Sequence, residues 1–277
     1  MIGLRVQDYI KELKSMPAEK QYHVLPDQVL MAIKNAKLAS DIANLHREVL
    51  RELIGQRLFL NTEAKLPPSI EEMFEVEVTR IESLCEQEGD EYFQLNNDLF
   101  LKDLAICSSR VLPAGAQLVE ASGLPRRVAL NTGFRNFVEF WRFVAFQLKG
   151  LRPLYEIHTN LGNLTDFNPE GWDRCYVRVG QLLKLNTAVN GMIGGSWFYD
   201  PVVQEISPNL AYLRQRPEEH HARFFFSREE GEHSGALAKS KTRRQLFDDG
   251  KYVPRAYFMV WPRESLIEFS ERYEKSI

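Results

Sequence analysis

The stretch Leu154-Tyr155-Glu156-Ile157-His158-Thr159-Asn160 decides the fold. Its residues alternate, which predicts a strand with Glu156, His158 and Asn160 on one face and Tyr155, Ile157 and Thr159 on the other. Downstream the pattern switches regularly between helical and strand periodicity. Residues 172–185 read as a helix, 189–198 as a strand, 207–216 as a helix and 222–227 as a strand. Residues 236–248 follow as a helix, 255–261 as a strand and 264–273 as a closing helix. Asp249-Gly250 ends the penultimate helix, since glycine takes the left-handed position beyond a helix C-terminus without a Cβ clash. The expected class is therefore α/β (α+β), a mixed central sheet with helices on both faces.

Upstream, residues 134–148 form a strongly aromatic helix (Phe134, Phe137, Phe140, Trp141, Phe143, Phe146), apolar on most sides and expected to be covered by the sheet and a further layer. Residues 104–108 and 116–120 read as strands joined around Pro113-Ala114-Gly115, with 127–130 extending the same antiparallel sheet. Before them, Leu30, Ile33, Leu38, Ile42, Leu45, Val49 and Leu53 predict one long amphipathic helix over 26–55. A second helix follows Pro67-Pro68, with Ser69 and Glu72 as a capping box, a stripe of Ile70, Met73, Phe74, Ile81 and Leu84, and Gly89 as its end. The short link at 65–69 pairs the two helices antiparallel. The chain thus divides into an N-terminal helical region, 1–90, and an α/β domain, 91–277. The helix pair serves as a packing element and offers an interface for a homodimer.

Lys plus Arg number 35 and Asp plus Glu 38, giving a formal charge of −3. That balance lacks the positive excess that sequence-independent nucleic-acid binding requires. No apolar run approaches the ~20 residues of a membrane span, and the first residues lack a signal-peptide core. Cys85, Cys107 and Cys175 are odd in number and widely spaced, as in a protein of a reducing compartment, so a cytoplasmic location is expected.

Chemistry concentrates in three places. Glu156 and His158 stand side by side at the C-terminal end of a strand, where ligands bind in open α/β sheets and where a histidine titrates near neutrality. Asn160 and Asp166 continue that polar segment as candidate substrate-binding residues. The run 189–201, VNGMIGGSWFYDP, carries Gly194-Gly195 inside an apolar strand, a signal of close approach by a ligand or a neighbouring element, followed by Ser196, Trp197, Tyr199 and Asp200. The serine is not in G-x-S-x-G, and neither GxxxxGK[ST] nor GxGxxG occurs. In the third place, Ser240, Arg243 and Arg244 would converge on a phosphate if a helix starts near Ser240. A metal site would need His158 and Asp166 with His220, His221 or His233, and none of these spacings is diagnostic; no metal is expected.

The order of elements over 105–262 resembles the GNAT acyltransferase fold: a hairpin within 105–130, a base-bearing strand at 154–159, a helix at 172–185, a strand at 189–198, a helix at 207–216, and closing strands at 222–227 and 255–261. Where the family has a Q/R-x-x-G-x-G/A loop before its helix, this chain has Leu161-Gly162-Asn163-Leu164-Thr165-Asp166 and Glu170-Gly171-Trp172. The resemblance implies transfer of an acyl group from a thioester, acyl-CoA or another acyl thioester, to an amine-bearing small molecule, with no tightly bound cofactor. Glu156 or His158 would take the amine's proton, Tyr199 would protonate the departing thiolate, and backbone around Gly194, Gly195 and Ser196 would hold the acyl group, all facing one concavity. Two other classes fit the same residues: a non-catalytic ligand- or partner-binding protein whose cleft takes an anion, and a metal-dependent oxygenase or hydrolase built on His158.

Overall fold

The structure, a computed structural model, describes residues 4–17, 20–36, 38–60, 62–125, 128 and 133–274. Contacts divide the chain into two units, Met1–Ala121 with Thr159–Asp166, and Ser122–His158 with Phe167–Ile277. The fold is α/β with a mixed sheet. No described helix is long and apolar enough to cross a membrane.

The first unit is built from helices Val6–Lys14, Asp27–Lys34, Ala39–Gly55, Pro68–Gln87 and Asp98–Cys107, and from an antiparallel hairpin of β1 (Leu112–Pro113) and β2 (Gln117–Ser122, whose last residue belongs to the second unit). The expected long helix over 26–55 is two helices, because Asn35 closes the first and Leu38 is extended ahead of the second. The expected capping box does not form: Pro67 occupies the cap and Pro68 the first helical position, leaving Ser69 inside the first turn. Residues 104–107 are helical and Ser108 caps the helix, so no strand forms at 104–108. Asn97 caps that helix by accepting from the Leu99 amide at 3.0 Å, and Phe100, Leu104 and Cys107 are buried at helical spacing. A short apolar run alone cannot separate a buried helix from a strand. Of the expected strand at 127–130, Arg127, Ala129 and Leu130 lie outside the described residues.

Helical geometry at 98–107 also turns Asp103 inward, fully buried, where the Arg80 guanidinium forks onto its two oxygens and the Tyr92 hydroxyl donates to Oδ2 at 2.5 Å. Arg80 also donates to Glu77 Oε2 at 2.8 Å. A buried charge left without its partner is costly, and this network gives each charge one. Nearby, His46 is fully buried: its Nδ1–H donates to the Phe93 carbonyl at 2.6 Å, and Nε2 accepts from the Tyr9 hydroxyl at 3.3 Å. Both contacts suit the neutral ring.

In the second unit four strands lie in the order β3 (Leu154–Thr159), β4 (Gly191–Ser196), β6 (Arg255–Pro262), β5 (Arg223–Glu229). β3 and β4 run parallel and the other two pairs antiparallel. Register sorts the side chains onto two faces, because directly opposed residues share a face. One face carries Glu156, Ile193, Gly195, Val260, Phe258 and Phe225. The other carries Ile157, Gly194, Met259, Trp261 and Phe224. Helix Gly133–Arg142, continued as a π-helix over Phe143–Leu148, covers part of the first face through Phe140, Phe143, Val144 and Leu148. Its outward aromatics stay in solvent, Phe146 at 78% exposure, so this helix has one buried side where two were expected. The side chain of Phe134 lies outside those described.

Helices Pro169–Leu185 and Arg263–Glu274 pack together, with Gly180 against Ser270, and Tyr176 meets Trp261 on the second face at 5.1 Å between ring centroids. The helix expected at 207–216 is a 3-10 turn, Pro208–Leu210, followed by Tyr212–Glu219. The one expected at 236–248 breaks at Ser240 into Gly235–Ala238 and Lys241–Asp248. Gly250 sits beyond that last helix at φ +68°, as its position required.

Burial pulls the His46 imidazole from 6.5 down to about 4. The unfolded chain therefore binds a proton that the folded chain refuses, so stability is complete above pH ~6.5 and falls as the pH drops toward about 4, by about 3 kcal/mol from this residue. Denaturant melts of wild type and His46→Gln at neutral and acid pH check this. The variant should lose less stability on acidification by about that amount, and parallel losses would refute it.

Candidate active site

The first face of the second unit opens into a cleft of about 280 Å³. Its floor is Gly195 on β4 with Ala256 and Phe258 on β6, and its ends are Glu156 from β3 and Arg228 from β5. The floor is low because two of its positions carry no side chain or only a methyl group. Trp197 and Glu230 wall it. Glu156 is half-buried and accepts a hydrogen bond on Oε2 from the Ser122 hydroxyl at 2.7 Å. One of its carboxylate oxygens lies within 4.8 Å of a ring nitrogen of His158, so these two expected partners do stand together.

Tyr199 does not join them. A Cβ on Gly194 would meet the Tyr199 hydroxyl at 3.0 Å and Ile157 Cγ1 at 2.8 Å, and the Tyr199 ring packs on Phe224. All three neighbours belong to the second face, so one concavity holding Glu156, His158 and Tyr199 is corrected to two groups on opposite faces. Burial raises the Tyr199 phenol above its ordinary value, which makes it a weaker acid than a free phenol. The glycine pair thus serves both faces: Gly194 admits Ile157 and Tyr199, and Gly195, whose Cβ would touch the Phe258 ring at 3.0 Å, keeps the cleft floor open.

Asn160 lies past the end of β3 and belongs to the first unit. It is buried, donating from Nδ2 to Glu77 Oε1 at 2.6 Å and to the Gly115 carbonyl at 3.0 Å, while Oδ1 accepts from the Gly162 amide. Its expected role in substrate binding is corrected to fastening this loop. Asp166, in the same unit, ends the 3-10 turn Leu164–Asp166 and accepts from Asn163 Nδ2 at 3.1 Å. Asp200 is buried and caps helix Pro201–Ile206 by accepting from the Val202 amide, so it is structural as well. Ser196 lines the cleft, and its hydroxyl oxygen accepts from the Phe198 amide at 3.2 Å.

The expected phosphate set is spent internally. Ser240 caps helix Lys241–Asp248 by accepting from the Arg243 amide. The buried Arg243 guanidinium donates to the Ala236 carbonyl at 2.6 Å and to Ser207 Oγ at 2.7 Å, and it lies over the Trp197 ring at 4.6 Å. Arg244 donates to the Glu232 carbonyl at 2.9 Å. The start of helix Pro169–Leu185 is occupied too: Asn168 accepts from the Gly171 amide and Glu170 places an acid in the first turn, an unfavourable pairing with a diphosphate. His220 packs on Trp261 and Phe269 on the second face, away from His158, and His233 pairs with Glu232 at 3.3 Å.

Sequence reading missed Arg228 and Glu230. Both follow a β-bulge at Ser227, where β5 steps from Phe226 opposite Tyr257 to Arg228 opposite Ala256. Without the extra residue Arg228 would face the other way. No composition or spacing signal announces that step. Comparison with protein-family models, characterised proteins and solved structures gives no match to the chain.

Arg243→Ala should destabilise the protein by about 2–4 kcal/mol, since it strips buried groups of a charged donor and a ring of its cation. Arg244→Ala, at the surface, should stay within about 0.5 kcal/mol of wild type. Thermal and denaturant melts separate the two, and equal effects would contradict the placement of Arg243.

Proposed function

We propose that the protein is an acyltransferase that moves an acyl group from a thioester to an amine-bearing small molecule bound in the Glu156 cleft. One observation carries this reading. The ladder between the parallel strands β3 and β4 ends at Ile157 and Gly194, while β3 goes on to His158 and β4 to Gly195. Glu156 stands there at the cleft with a ring nitrogen of His158 beside it, while Tyr199 is buried on the other face. A thioester carbonyl seated in the cleft lies beside the Glu156 carboxylate, and strand amides beyond the ladder can hold its oxygen. The order of elements along the second unit, with β5 and β6 as an antiparallel closing pair, supports the same reading, as it does in the GNAT fold that the sequence resembles.

In this mechanism the amine nitrogen attacks the thioester carbon from the cleft and passes its proton to Glu156. The C–S bond breaks, and the thiolate leaves through the open cleft and takes a proton from solvent. Amide and thiol are the products, and Glu156 gives the amine's proton up to solvent. The donor contributes its thioester, and Arg243, Arg244 and Asn168, already engaged, make no diphosphate contact. Cys85, Cys107 and Cys175 are buried outside any disulfide, which fits a reducing compartment such as the cytoplasm.

Release of free thiol from an acyl-pantetheine or acyl-CoA in the presence of small primary amines tests the reading. Glu156→Gln should lower kcat/KM by about a hundredfold to ten-thousandfold, the range of general acid–base catalysis, with the fold intact by circular dichroism. Amine-independent thiol release, or activity indifferent to this change, would overturn it.

A further inference from the structure

We infer that the molecule taken by this cleft is an amino acid, carrying a carboxylate as well as the amine, and that Arg228 binds the carboxylate. The inference rests on the reading of the cleft as an amine site and adds the other end of the ligand.

The bulge at Ser227 is the first support. In β5 the residues Phe224 and Phe226 face the second side of the sheet, and regular alternation would send Arg228 after them. The extra residue puts Arg228 opposite Ala256, on the face of Phe258, Gly195 and Glu156. Bulges re-aim single side chains in this way, commonly beside functional sites. Here the side chain delivered is a cation at the end of the cleft away from Glu156.

The second support is how the guanidinium is held. Arg228 Nη2 donates to Glu230 Oε1 at 2.8 Å, and Glu230 is fixed in turn by the Ser234 hydroxyl on Oε2 at 2.6 Å. A guanidinium carries five donors, so one bond to Glu230 orients the fork and leaves donors for a second carboxylate. The charges then alternate along the cleft: Glu156 negative, ligand ammonium positive, ligand carboxylate negative, Arg228 positive, Glu230 negative.

Size agrees. Glu156 and Arg228 are three strand spacings apart across the sheet and four residues apart along β6, roughly 19 Å between backbones, and the Glu and Arg side chains reach inward from both ends. With a volume of about 280 Å³ the cleft suits a metabolite of amino-acid size and excludes a long polymer.

Calorimetry on the full chain tests this with four probes: norvaline, δ-aminovalerate, pentylamine and pentanoate. One of the two amino acids should bind at least about tenfold tighter than pentylamine, the gain expected of a charge-assisted pair. Arg228→Met should erase that advantage and Arg228→Lys should retain part of it, each with an unchanged melt. If pentylamine binds as tightly as both amino acids in wild type, the carboxylate is not read and this inference fails while the amine site stands. If neither amino acid nor pentylamine binds, or if pentanoate alone binds, the amine site itself fails and this inference with it.

Discussion

Two adjacent positions without side chains, Gly194 and Gly195, set the terms for the rest of the second unit. In a strand, neighbours point to opposite faces, so a glycine pair creates one vacancy on each. The Gly194 vacancy is filled by Ile157 and the Tyr199 hydroxyl, which fixes a buried phenol against the backbone at the point where β3 and β4 part. The Gly195 vacancy stays open as the floor of a cleft. A Cβ at Gly194 would crowd packed groups on the phenol side, whereas one at Gly195 would press on the Phe258 ring and raise the floor. Sheet geometry thereby puts the Glu156 carboxylate and the Tyr199 hydroxyl on opposite faces of the sheet.

The same logic of register governs the charges. Glu156 reaches the cleft because it is level with Ile193 and two residues from His158 on one pleat. Arg228 reaches it because a single bulged residue reverses the alternation of β5. Arg243, four residues into a basic run, is turned inward by the helix that Ser240 starts, and its guanidinium becomes a brace between Ala236, Ser207 and Trp197 instead of an anion receptor. Sequence clusters of like charge report composition, and the backbone decides which members face a ligand.

Legibility followed the range of the interactions. Strands at 154–159, 222–227 and 255–261 were readable because alternation is local, and the helix at 172–185 because its apolar period is strong. Residues 104–108 look like a strand in sequence because their apolar run hides the period of helix Asp98–Cys107. Glu156 and His158 as neighbours on one face were legible from alternation alone. The face of Tyr199 was not, since it depends on the turn that Ser196 caps after β4 and on the partner strand's register. Asn160 continued the alternation on paper, but the strand ends before it, and Glu77 and Gly115 take its side chain. Arg228 was out of reach because the bulge that aims it is a property of the β5–β6 pairing.

The most direct test of this account is an experimentally determined structure of the protein with an amine-bearing ligand and an unreactive acyl thioether bound together. The ligand nitrogen should lie within hydrogen-bond range of the Glu156 carboxylate, above Gly195, with the thioether sulfur in the same cleft. Either molecule bound elsewhere, with Glu156 touching neither, would contradict it.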